Sequence, residues 1–138
     1  MVTRRARSPR KAPSTGPSAN AQRGEHILKL SGVDYLLRPS HQAIVAIEEQ
    51  TGATLLTLVR DGNVGALSQG DLGIIAAQLI RAGAKADDEL TRNVGADRLA
   101  QMIYEHGVAS ATIRLTLCLA DAANGGRTAS GEAKATSA

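Results

Sequence analysis

Three histidines and one cysteine carry the widest chemical repertoire in this 138-residue chain, and their spacing decides what they can do. His26 reads as strand, His41 as a helix start and His106 as a helix end, while Cys118 stands far from all three. A zinc site needs donors held at short, regular intervals, such as two histidines at i and i+4 on one helix. Nothing here has that spacing, so no metal site is expected. Cys118, between Leu117 and Leu119 in an alanine-rich stretch, reads as a small buried hydrophobe. No Gly-x-Ser-x-Gly occurs, and neither Ser68 nor Ser110 sits in a nucleophile motif. Glu48 and Glu49 are consecutive, so a helix points them in different directions and they form no acid–base pair. Glu105-His106 closes a helix, where a histidine favours the dipole. The expectation is no catalytic residue, no cofactor and no enzymatic activity.

Phosphate recognition fares little better. Gly62-Asn63-Val64-Gly65 is a GxxG, the loop with which KH domains clamp RNA, and Asn-Val-Gly-Ala recurs at 63–66 and 93–96. The loop holds no cation, and the flanks of the repeat do not match, so two turns of similar composition explain it. A helix-turn-helix would need a basic recognition helix. The candidate helices offer only Arg81, Arg98 and Arg114, one each.

The net charge of +3 points toward nucleic acid only until it is divided by position. Residues 1–24 hold six cations (Arg4, Arg5, Arg7, Arg10, Lys11, Arg23) and no acid, whereas residues 25–124 hold eight cations and twelve acids. The body is therefore mildly acidic, and the basic character belongs to the ends. Residues 1–24 also carry Pro9, Pro13 and Pro17 and almost nothing apolar larger than alanine, which predicts a disordered basic tail. They lack the apolar stretch of a secretory signal, and the prolines spoil the amphipathic helix of a transit peptide. Residues 125–138 read as a second disordered tail. A lone cysteine fits a reducing compartment, two aromatics argue against binding by stacked bases, and the most apolar stretch, 108–123, contains Arg114. Together these predict a small soluble intracellular domain over residues 25–124.

That domain reads as a β-hairpin followed by helices. With Ser31-Gly32 as a two-residue loop, Lys29 faces Asp34, Glu25 faces Arg38 and Ile27 faces Leu36, two opposite-charge pairs and one apolar pair. The other face collects Leu28, Leu30, Val33, Tyr35 and Leu37, which helices must cover. Ser40, Thr54 and Ser68 are N-cap residues for helices over 41–51, 55–60 and from 69 to about 82, and Asp61-Gly62 reads as the break after the second. A helical turn is possible at 87–90. Further helices span 96–106, with Leu99, Met102 and Ile103 inward, and 108–123. The last carries Ile113, Leu117 and Ala120 on one side and Leu115 and Leu119 on another, more apolar surface than one buried face needs. It is expected either to run through the middle of the bundle or to meet a partner, and the first is expected of an isolated domain. Tyr35 and Tyr104 are expected as the large rings of the core. The fold class is α+β, mainly α: an N-terminal hairpin and a compact bundle of four or five short helices.

The run Leu30-Ser31-Gly32-Val33-Asp34-Tyr35-Leu36-Leu37-Arg38-Pro39-Ser40, continuing into Ala43-Ile44-Val45-Ala46-Ile47-Glu48-Glu49-Gln50-Thr51-Gly52 and Leu55-Leu56, carries a resemblance. With Ile103-Tyr104-Glu105-His106-Gly107 before the alanine-rich last helix, it resembles the gene transfer agent and phage tail assembly chaperone family, over about residues 26–123. Some members of that family are labelled tail tube proteins. The resemblance implies a helper that coats the tape measure protein and recruits tail tube protein subunits in the cytoplasm of the bacterial host during particle assembly. The particle would be a phage, a prophage or a gene transfer agent, and homo-oligomers are possible. Leu115 and Leu119 are the expected partner-binding residues. Two alternatives follow: a structural tail tube component, and a small nucleic-acid-binding protein acting through the basic N-terminal tail. The basic tail itself has no counterpart in the family pattern.

Overall fold

A computed structural model describes residues 18–125. Of the two expected disordered tails, 1–24 and 125–138, residues 1–17 and 126–138 lie outside the described residues. The element order is a single 3-10 turn at Ala21–Arg23, then β1 (His26–Leu30), β2 (Val33–Leu37), α1 (His41–Thr51), α2 (Leu55–Asn63), α3 (Gln69–Gly83), α4 (Glu89–Arg92), α5 (Ala96–His106) and α6 (Val108–Ala123). The architecture is α+β and mainly α, as its hydrophobic patterning implies.

β1 and β2 pair antiparallel with Lys29 opposite Asp34, Ile27 opposite Leu36 and Leu28 opposite Tyr35. Ser31 and Gly32 both have positive φ, 52° and 79°, the mirror-image turn whose twist matches that of the strands. The cross-strand ion pairs form: Lys29 Nζ lies 3.6 Å from Asp34, and Arg38 Nε lies 3.8 Å from Glu25. Ser40, Thr54 and Ser68 each accept a hydrogen bond from the backbone N–H three residues on, starting α1, α2 and α3. Gly52, at φ 74°, terminates α1 in the left-handed conformation that glycine adopts without steric cost.

Five expectations need correction. Asp61-Gly62 does not break α2, which continues to Asn63; Gly62 has a tertiary role instead, since a Cβ there would collide with the Thr116 side chain on α6. The central helix is α3 rather than α6. No charged residue interrupts α3 between Leu72 and Ile80; seven of its residues are buried, and it packs against α5, α1 and β2. Tyr104 leaves the core: it points to solvent from α5, while Leu99, Met102 and Ile103 supply the inward face. Val33, beside the hairpin turn, is likewise 48% exposed. Finally, the body begins before residue 25. Asn20 accepts hydrogen bonds at its carbonyl from Arg23 N and Glu25 N, and Gly24 is buried, so residues 20–24 belong to the domain rather than to the basic tail.

Candidate docking surface on the last helix

α6 has three faces, and each does something different. Ala111, Leu115, Cys118 and Leu119 lie on the core face, all with 0% exposure. This corrects the expected partner-binding role of Leu115 and Leu119: the free domain presents neither, because both fill the space between α6 and the elements beneath it. The opposite assignment holds for the other apolar row. Ile113 is 62% exposed and Leu117 41% exposed. With exposed Ala109 and half-buried Ala120 at intervals of four and three residues, they form a line about 16 Å long on one side of the helix.

The second face meets α2. Thr116 is buried against Gly62, and its hydroxyl has no hydrogen-bond partner among the described residues. At about 100° per residue, Ile113 and Leu117 lie about 60° and 100° round the helix from Thr116, so their row borders the α2 side. On α2, Leu56 is 70% exposed about 120° round the helix from Gly62, and Val64, just past its end, is 71% exposed.

The third face is polar and joins α6 to the start of the chain. His26 on β1 bridges two α6 residues: Nε2–H donates to Asp121 Oδ2 at 2.7 Å, and Arg114 Nη1 donates to Nδ1 at 3.1 Å. A guanidinium has no acceptor, so the pattern assigns the Nε2–H tautomer. Beside His26 in the chain, buried Glu25 accepts from Asn20 N at Oε1, 2.9 Å, and keeps Oε2 3.2 Å from Arg23 and 3.8 Å from Arg38. The Cys118 thiol points at Gly24 O, 3.6 Å away. Burial pushes this thiol up to about 12, helped by the charges of Asp121 and Glu25 and opposed by Arg114. It stays protonated at neutral pH, which deprives it of the thiolate a nucleophile needs. The seam therefore fixes the angle of α6 against the hairpin.

Sequence reasoning missed this seam, and no local signal could have revealed it, since His26 and Asp121 are 95 residues apart. His41 and His106 are exposed at the ends of α1 and α5 and do not join it. Among the described residues, no group of three or more His, Cys, Asp or Glu is placed to hold a metal ion, and no helix is long and apolar enough to cross a membrane. The repeated Asn-Val-Gly-Ala closes α2 at its first occurrence and starts α5 at its second, so the two copies share no structural role. Gly62 is helical, so the GxxG forms no open phosphate-clamping loop. No family model, no curated protein and no solved structure matches this chain.

Proposed function

We propose that this domain is a protein-binding module of the phage-type tail assembly chaperone kind, and that it receives an apolar helix of the tape measure protein along α6. The observation that supports this reading is the exposed row Ile113 and Leu117, on a helix whose other apolar row already fills the core. An apolar row at i and i+4 spacing on a rigid helix suits a partner helix laid alongside it. The polar seam at His26 and the close crossing at Gly62 hold that helix still, so ordering it costs little on binding. Recruitment of tail tube subunits would use the remaining surface of the complex.

The experiment is co-expression with a candidate tape measure protein, the product of a long coiled-coil gene sought near this one, comparing the native chain with Ile113→Asp/Leu117→Asp. The native chain should keep the tape measure protein in the supernatant and co-purify with it. Burying the exposed parts of the two side chains is worth about 2–3 kcal/mol, so the variant should bind roughly 30- to 150-fold more weakly while keeping the native helical circular dichroism at the working temperature. Equal co-purification by both chains would overturn the reading, as would a native chain that closes into rings or tubes without any partner.

A further inference from the structure

We propose that the hollow between the start of α1 and the end of α3 is a binding site for carboxylates, and that it takes the acidic side chains of a protein segment. The hollow measures about 450 Å³ and is lined by Arg38, Ser40, Gln42, Gln78 and Arg81, with Ala43 and Ala82 closing its floor. No acid lines it. The two arginines come from different elements and are held from behind. Arg81 uses Nε to donate to Val94 O at 2.8 Å, which orients its guanidinium and leaves both terminal nitrogens free of that bond. Arg38 is fixed by its backbone N–H on Leu79 O, 3.0 Å, while its Nε sits 3.8 Å from Glu25. Two guanidiniums and two carboxamides lining one concavity suit the planar, bidentate demand of a carboxylate, with Arg81 the arginine that makes no ion pair among the described residues.

The site rests on these side chains and not on the end of α1, because the Ala43 N–H is already taken by Ser40 Oγ at 3.1 Å. Charge decides which oxyanion enters. Residues 25–124 carry twelve acids against eight cations. A long polyphosphate chain must run over that acidic surface, whereas an isolated carboxylate feels mainly the two guanidiniums within a Debye length of about 8 Å. The inference goes beyond the role proposed for α6 and does not depend on it.

The test is residue-resolved NMR on the full ¹⁵N-labelled chain, titrated with a capped Gly-Glu-Gly peptide, which offers one carboxylate. Reading individual amides separates this hollow from the arginines near the N-terminus. Saturable shifts are expected at Ser40, Gln42, Ala43, Gln78 and Ala82. Arg81→Gln and Arg38→Gln should each weaken them at least tenfold, and Arg60→Gln, on α2, should leave them unchanged. Unmoved α6 amides report that each variant is folded; should Arg38→Gln lose its fold, Arg81→Gln alone decides. The proposal is overturned by the absence of saturation up to about 10 mM peptide. It is equally overturned by arginine variants that bind as well as the native chain, or by tighter binding of inorganic phosphate or a thymidine oligonucleotide at the same amides.

Discussion

Gly62 stands inside α2 where helix propensity favours alanine by about 1 kcal/mol, so its presence there must have a tertiary reason. A Cβ added at Gly62 would lie 2.1 Å from Thr116 Oγ1, 2.9 Å from Cγ2 and 3.0 Å from Cβ. Turning Thr116 to another rotamer moves the first two atoms but not the third. Overpacking costs about 1–3 kcal/mol, and three Thr116 atoms crowding one added Cβ place this case in the upper part of that range, about 2–3 kcal/mol, so Gly62→Ala should lose about 1–2 kcal/mol net of the propensity gain. Thr116→Ala alone should be nearly neutral. It gives up a buried methyl, worth about 0.8 kcal/mol, and removes a buried hydroxyl that lacks a partner and costs at least about 1 kcal/mol. The double variant keeps the helix gain and meets only the residual 3.0 Å contact, so it should return to about native stability. The cycle therefore predicts a coupling of about 1–2 kcal/mol in favour of the pair. Urea unfolding followed by circular dichroism at 222 nm measures it, since two tyrosines give little fluorescence signal. A Gly62→Ala chain as stable as the native one, or additive losses in the double variant, would refute the close crossing of α2 and α6.

Three further outcomes are expected. Leu119→Ala, at a position with 0% exposure, should cost about 2–5 kcal/mol, and Leu117→Ala, 41% exposed, less than about 1 kcal/mol; equal urea midpoints would contradict the assignment of the two faces. Cys118 should resist a thiol reagent at pH 8 in the native chain and react within seconds once unfolded, because its thiol is buried and pushed up to about 12; fast labelling of the folded protein would show that the seam opens. Asp88 is held below its ordinary value of 3.8 chiefly by hydrogen bonding from Thr91, side chain first and then backbone. A depressed carboxylate stabilises the fold above its unfolded value and loses that contribution as pH falls through the folded one. The Thr91 amide should therefore shift as α4 loosens below about pH 3.8, and an Asp88→Asn chain should show no such transition.

Local rules determined much of this fold. The hairpin register follows from charge and size alone: only a two-residue Ser31-Gly32 loop sets Lys29 against Asp34 and Glu25 against Arg38, and those pairs form. Helix starts at Ser40, Thr54 and Ser68 were legible because a capping oxygen acts within three residues of itself. Such interactions close over short chain distances, so the same residues meet in any fold that contains the segment.

What packs against what needed the tertiary structure. α6 has two apolar rows of similar composition, and its sequence alone does not say which faces inward. In the folded chain Leu115 and Leu119 are buried, His26 on β1 meets Arg114 and Asp121, and the same rotation of α6 leaves Ile113 and Leu117 outside. The same holds for Gly62, a helix breaker by propensity that sits within α2 where another helix passes too near for a side chain. A residue's partner across the core is chosen by the shape of the whole, and that shape does not exist until distant segments have met.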